Sequence, residues 1–181
     1  MTNTASRANI EPPPLEAGIH IVTRVSQRFN VDVLHLRRFF DDHGFENYLE
    51  STSRVFKPKA LVPIIGEFPE QGSIHQVVLE NQHTAYEAVV DARYPDFFRY
   101  QLYNITEPGA KVIKYGLGEF SFTALEGGRS LFTWSYQLRP KSILIYPLLN
   151  LLLKRHFRAF MQRGLDNFSL AVNEQLTISS A

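Results

Sequence analysis

The sequence contains no cysteine, which excludes disulfide bonds, zinc–thiolate sites and thiol nucleophiles. It has no surplus of one charge either: 19 lysines and arginines stand against 18 aspartates and glutamates. The net charge of +1 provides no electrostatic basis for binding nucleic acid, so we expect no such partner. The longest apolar run, residues 143–153, contains Pro147 and Asn150 and is too short to cross a bilayer.

Local motifs for cofactors and metals are also missing. The glycines at residues 116–118 lack the third glycine of a dinucleotide-binding loop, and no glycine-rich phosphate loop with a lysine occurs. The histidine pairs His35/His43 and His75/His83 do not have the i, i+4 spacing of helical zinc ligands. No nucleophile elbow of a Ser-His-Asp triad is present. The sequence therefore predicts no cofactor and no metal site.

Aromatic residues, by contrast, are abundant: the 181-residue chain has 14 phenylalanines, 8 tyrosines and 1 tryptophan. Such side chains fill a core or line an apolar ligand site. The length predicts one domain, which we place at residues 18–176, with a tail at residues 177–181. Residues 1–17 are polar, rich in proline and without the apolar core of a secretory signal, which predicts a flexible leader and a cytoplasmic protein.

Alternating apolar residues and closely spaced turn signals predict a strongly curved antiparallel β-sheet. A first strand is expected at residues 18–29, then a helix capped by Asn30 or Asp32 and ended at residues 43–44, and a second short helix at residues 45–55. Residues 56–72 contain three prolines and two glycines and are expected to form an irregular loop, either a lid or a pocket rim. Further strands are predicted at residues 73–80, 84–90, 97–106, 112–125 and 129–138.

The last third of the chain predicts one amphipathic helix over residues 148–174, about 40 Å long. A helix of that length must lie across the sheet, and the two layers can leave a pocket between them. Its apolar stripe includes Gly164, although glycine costs about 1 kcal/mol relative to alanine inside a helix. The gap at Gly164 leaves room for a neighbouring group or for the pocket, and we predict that it borders the pocket. The stripe consists of Leu149, Leu153, Phe157, Phe160, Gly164, Phe168 and Val172.

Two segments, residues 72–90 and 116–140, together with this order of elements, resemble the START-related superfamily, also called SRPBCC. Within it the chain is most similar to proteins described as polyketide cyclase/dehydrase-like. The resemblance implies an α+β helix-grip fold, in which a curved antiparallel sheet wraps around a long C-terminal helix, with two short helices after the first strand. It also implies a START-like ligand-binding domain over residues 18–176. Members bind or transfer lipids, sterols, polyketides and plant hormones, and a minority cyclise or dehydrate polyketides.

Aromatic residues on the predicted sheet and helix are the candidates for ligand contact. Trp134 and Tyr136 share one face of a strand, and rings that bear hydroxyl groups can orient a ligand in an apolar cavity. Simple core filling explains the same pattern equally well, and both roles can hold together. The first hypothesis is a carrier or sensor that binds a small hydrophobic molecule. Its predicted ligand-binding residues are Tyr100, Tyr115, Leu117, Trp134, Tyr136, Phe157, Phe160 and Gly164.

The second hypothesis is an enzyme that uses polar residues in the same cavity. If the hairpin turns at residues 81–83, His75 and Glu87 lie near one another on adjacent strands. Such a pair facing the pocket could serve as general base and orienter in a cyclase- or dehydratase-like reaction. A simple cross-strand pair, or side chains in solvent, is the structural alternative. The resemblance supplies no fixed catalytic set, so His75 and Glu87 are the only catalytic candidates.

Basic residues flank the apolar start of the predicted last helix. Lys141, Lys154, Arg155, Arg158 and Arg163 accompany the sequence LLNLLL, which suggests contact with an anionic membrane surface as a third hypothesis. A solvated helix face explains the same charges. The oligomeric state stays open at this point.

Overall fold

A computed structural model describes residues 10–179, with side chains described up to residue 176. Seven strands form one antiparallel sheet: β1 (Ile21–Phe29), β2 (Pro58–Ile65), β3 (Ile74–Leu79), β4 (Thr84–Arg93), β5 (Phe97–Tyr103), β6 (Ile113–Leu125) and β7 (Arg129–Pro140). Their spatial order is β1-β7-β6-β5-β4-β3-β2, so the first strand pairs with the last one. The predicted α+β class and antiparallel sheet are confirmed.

Two helical regions cover one face of this sheet. Helix α1 (Val33–His43) begins at Asp32, whose carboxylate accepts a hydrogen bond from the backbone N–H of His35 at 2.9 Å. The C-terminal helix comprises α2 (Tyr146–Leu152), a π-helical turn (Leu153–Phe157) and α3 (Arg158–Ser179). None of the helices in the described part of the chain is long and apolar enough to span a membrane.

Alternation along β7 separates the inner face of the sheet, which the helices cover, from the outer face. Phe132, Trp134, Tyr136 and Leu138 are all buried on the inner face. The backbone of the C-terminal helix lies beside β1, and the backbone of α1 lies beside β6 and β7. The helices therefore lie nearest the β1 side of the sheet and leave the inner face of β3, β4 and β5 less covered.

Aromatic rings fill the space where helices and sheet are closest. Phe168 of α3 is fully buried and makes edge-to-face contacts with rings from α1, the 3₁₀-helix Phe45–Tyr48 and β7. Each edge-to-face pair adds about 0.5–1.5 kcal/mol beyond the burial of its area. Phe122 and Phe132 stack in parallel across β6 and β7, with ring centroids 4.7 Å apart. This cluster fixes how the helices are seated on the sheet.

A separate apolar cluster lies on the outer face and is covered by residues 10–17, which we call the N-terminal strap. The Gln101 side chain donates a hydrogen bond to the Pro13 carbonyl at 2.8 Å, and the Tyr103 hydroxyl donates one to the Ile10 carbonyl. Glu16 forms ion pairs with Lys114 and Arg139. These contacts hold part of the predicted leader against the sheet, and residues 1–9 lie outside the described residues.

Three sequence predictions about the elements were wrong. The expected irregular loop at residues 56–72 contains β2, an edge strand that tolerates Pro58 and Pro63 because one side of it has no neighbour. The expected helix at residues 45–55 is only one 3₁₀ turn, Phe45–Tyr48. The last helix begins two residues earlier than predicted, at Tyr146 with Pro147 in its first turn, and extends to Ser179.

The reason for the small residue at Gly164 also differs from the prediction. A Cβ atom at this position would lie 2.5 Å from Cδ2 of Leu49, a distance that real contacts do not reach. Leu49 is 7% exposed and belongs to the segment that follows the 3₁₀-helix Phe45–Tyr48. The gap in the helix stripe therefore receives a neighbouring side chain, that of Leu49.

Candidate functional site

Polar side chains meet on the inner face of β3, β4 and β5. His75 of β3 lies directly opposite Glu87 of β4, and the next inward residue along β4, Val89, lies opposite Tyr100 of β5. Period-two alternation places His75 and Glu87 on the same face of the sheet as the aromatic core. The structure therefore brings the two catalytic candidates together on the inner face.

Glu87 and the two inner tyrosines influence one another electrostatically. Burial, reinforced by the negative charge of Glu46, raises the pKa of Glu87 from its ordinary value of 4.5 to about 7. Burial, with Tyr136 and Glu87 close by, raises the pKa of Tyr100 well above its usual value. The pKa of Tyr136 rises for the same reasons, burial first and Glu87 second. Both tyrosines consequently remain protonated, while Glu87 exchanges a proton near neutral pH.

These polar groups have few partners of their own. Both ring nitrogens of His75 are buried without a hydrogen-bond partner among the described residues, whereas the Trp134 indole lies close enough to the Tyr100 hydroxyl to limit the rise in its pKa. Glu87 and Tyr100 keep some accessible surface although they lie on the inner face. Buried polar groups are normally paired, so the unpaired imidazole of His75 makes this part of the inner face the candidate site.

Two glycines of β6 make room for the tyrosine rings. A Cβ atom at Gly118 would lie 2.1 Å from Cζ of Tyr100, and one at Gly116 would lie 2.5 Å from the hydroxyl oxygen of Tyr136. Each ring therefore lies flat against the backbone of β6, in a position that no larger residue permits. The group that approaches the backbone is a tyrosine at both glycines.

The segment between β2 and β3 covers His75. The ring of Phe68 contacts His75 edge-to-face at 5.4 Å between centroids and Phe98 at 5.3 Å. His75 is only 2% exposed, whereas Phe68 is 49% exposed, so one partly exposed ring separates the imidazole from solvent. Burial lowers the pKa of His75, which keeps the imidazole neutral at physiological pH.

A groove of about 450 Å³ opens at the β2 edge of the same region. We call it the rim groove. It is lined by Glu46, Asn47, Lys57, Pro58, Lys59, Ala60, Leu61 and Glu80. Glu46, which lines the rim groove, is also the residue whose negative charge contributes to the raised pKa of Glu87.

The C-terminal helix closes the site from the other side. Phe157, in the π-helical turn, lies 4.6 Å from Tyr136 between ring centroids and 5.7 Å from Phe160. Phe160 in turn contacts Trp134 at 6.3 Å. A π-helical turn is uncommon and is frequently found at functional sites, and here it presents Phe157 to the inner tyrosine.

The structure groups five of the eight predicted ligand-binding residues, and these five are Tyr100, Trp134, Tyr136, Phe157 and Phe160. Tyr115 and Leu117 lie on the outer face beneath the N-terminal strap, because Phe120 and Phe122 fix which face of β6 turns inward. Gly164 contacts Leu49, as described above.

Sequence reasoning missed two residues at this site, Glu46 and Phe68. Glu46 falls within the predicted helix at residues 45–55 and acts on Glu87 through its charge, whereas Phe68 reaches the site through its contact with His75. Phe68 falls within the stretch predicted to be a lid or pocket rim, but nothing in that stretch distinguished it from its apolar neighbours.

Solved structures of low sequence identity share the fold of this chain. Norcoclaurine synthase from Thalictrum flavum superposes with a TM-score of 0.60 at 12% identity, covering 91% of this chain and 97% of that one. Ara h 8.0201 gives a TM-score of 0.57 at 10% identity, with 86% and 99% covered. XoxI from Bacillus cereus gives 0.54 at 15% identity, with 83% and 94% covered. No protein-family model and no curated protein matches the sequence.

The chain has the helix-grip fold that these solved proteins share. The coverage shows that the likeness extends over nearly the whole length of the solved proteins. Identities of this size establish the fold and not an activity, because helix-grip proteins share a scaffold while their sites differ.

Proposed function

We propose that this helix-grip protein binds a small, mainly apolar molecule between the inner face of β3–β6 and the C-terminal helix, as a carrier or sensor. The observation that supports this most directly is the unpaired imidazole of His75 on the inner face, together with the partly accessible polar side chains of Glu87 and Tyr100 among aromatic rings. An apolar site with a few convergent polar groups is the usual form of a small-molecule site. The expected ligand therefore has an apolar body and at least one hydrogen-bonding group.

The ligand can be sought directly. Mass spectrometry of small molecules that co-purify with the native protein should detect a compound bound in stoichiometric amount. The variant Gly118→Ala moves the Tyr100 ring, since the added Cβ would lie 2.1 Å from it, and should reduce occupancy at least about tenfold. Gly109→Ala, outside the sheet, is the matched control and should leave occupancy unchanged. Equal occupancy in wild type and Gly118→Ala would place the ligand elsewhere.

A second function, acid–base catalysis, has its own supporting observation: Glu87, with a pKa of about 7, lies opposite His75 in the same site. A carboxyl group that titrates near neutral pH can both accept and return a proton. Tyr100 and Tyr136 would donate hydrogen bonds to a substrate oxygen. The corresponding reaction class is proton transfer next to a carbonyl, as in cyclase- or dehydratase-like chemistry. Norcoclaurine synthase, whose structure holds dopamine and hydroxybenzaldehyde, provides a catalytic precedent on the same fold.

This second function is tested without knowing the substrate. Acetophenone in D₂O serves as the probe, and mass spectrometry follows deuterium uptake at its methyl group. Wild type should accelerate exchange over buffer by about 10²-fold or more, and Glu87→Gln should abolish the acceleration. Tyr86→Phe, on the outer face, should behave as wild type. Identical rates for wild type and Glu87→Gln would leave the binding function as the sole proposal.

A further inference from the structure

The start of the C-terminal helix exposes an unusual number of large apolar side chains. Leu144 is 86% exposed, Leu148 and Leu151 are each 59% exposed, and Ile143 is 58% exposed. Their neighbours Leu149 and Leu153 are buried in the core, so the segment presents leucine to both the interior and the exterior. Single exposed leucines are ordinary, but several within ten residues form a patch that indicates a contact surface.

Positive charge surrounds this patch without compensation. Lys141, Lys154, Arg155 and Arg158 are all exposed, and none forms an ion pair within the described part of the chain. The sequence has no aspartate or glutamate between residues 127 and 165. Because the whole chain has a net charge of only +1, these cations are a local concentration and not a general property. We call residues 141–158 the basic leucine surface.

We propose that the basic leucine surface docks the protein on an anionic lipid bilayer. Leucines that project from a helix enter the boundary between headgroups and acyl chains, while lysines and arginines remain at the level of the lipid phosphates. A second copy of the chain fits the surface poorly, since it would place four more cations against the first four. Charge complementarity therefore selects the membrane.

The basic leucine surface lies next to one end of the candidate site. The π-helical turn Leu153–Phe157 lies within the basic leucine surface, and its last residue contacts Tyr136 of the candidate site. A protein docked through this surface would hold that end of the site next to the bilayer. The docking itself does not depend on the proposed ligand function.

Vesicle co-sedimentation of the full chain tests the proposal. Vesicles of phosphatidylcholine with phosphatidylglycerol should retain the protein, whereas vesicles of phosphatidylcholine alone should retain at least about tenfold less. Leu148→Asp/Leu151→Asp should weaken binding to the anionic vesicles at least about tenfold. Leu170→Asp is the matched control, because Leu170 is 64% exposed near the other end of the same helix, and it should bind as wild type. Circular dichroism spectra of the variants serve as the control for folding.

Two double variants that each remove two positive charges test the role of the cations. Lys154→Gln/Arg155→Gln should reduce binding to anionic vesicles and the dependence of that binding on salt. Arg28→Gln/Arg129→Gln removes the same charge at the opposite end of β1 and β7 and should leave both unchanged. Equal retention by neutral and anionic vesicles would overturn the proposal, as would an equal effect of the Leu170 control. Self-association in sedimentation velocity that Leu148→Asp/Leu151→Asp abolishes, without vesicle binding, would overturn it in favour of a second copy.

Discussion

At the scale of single residues, Glu87 links the candidate site to stability. An acid whose pKa rises from 4.5 to about 7 on folding binds more protons in the folded state between those values. The free energy of unfolding should therefore fall as pH rises from about 5 to 8, on the order of 2 kcal/mol for this group. Glu87→Gln removes the titration, so the variant should gain stability relative to wild type across that interval, measured by urea unfolding.

Wild type must be compared with Glu87→Gln because His75 changes the free energy of unfolding with pH in the opposite direction. Burial lowers the pKa of His75, so its contribution to stability grows as pH rises and partly masks the effect of Glu87 in wild type alone. Glu126→Gln, an exposed residue in the turn after β6, is the control and should show no such difference. Parallel pH profiles for wild type and Glu87→Gln would mean that Glu87 is solvated.

At the scale of elements, Gly164 and Leu49 determine how the C-terminal helix meets the segment before β2. Alanine favours a helix over glycine by about 1 kcal/mol, yet its Cβ would lie 2.5 Å from Leu49. Gly164→Ala should therefore lower the free energy of unfolding by about 1–3 kcal/mol. In a Leu49→Ala background, where the space is free, the same change should raise it by about 1 kcal/mol.

Thermal and urea unfolding of the four proteins in this double-mutant cycle would show the change of sign. Stabilisation by Gly164→Ala in both backgrounds would show that Leu49 moves aside easily. A drop in ligand occupancy with unchanged stability would restore the original prediction that Gly164 borders a pocket.

The sequence was informative for this fold where one face of an element is apolar and the other polar. Trp134 and Tyr136 could be grouped correctly because β7 alternates in this way. Tyr115 and Leu117 could not, since both faces of β6 are buried, one by helices and the other by the N-terminal strap. Contacts between distant segments, such as Gly164 with Leu49 or Phe68 with His75, leave no local pattern.

At the scale of the whole molecule, the N-terminal strap acts as a second cover for the sheet. Tyr103 and Tyr115 are each 1% exposed, and the strap contacts both. Removal of residues 1–17 should expose this outer cluster, increase the fluorescence of an apolar dye and lower the urea midpoint. A chain that starts at Ile10 keeps every described strap contact and should match wild type. An unchanged midpoint after removal of residues 1–17 would show that the strap adds no stability.

The two prolines of β2 have a consequence for how the sheet ends. An edge strand with exposed Val62, Ile64 and Ile65 offers unpaired backbone groups to which a strand of another chain could add, the first step of fibril growth. Pro58 and Pro63 provide no N–H for that pairing, and Lys57 and Lys59 repel an identical edge. Both features disfavour the addition of a strand at β2, which would otherwise seal the rim groove beside it.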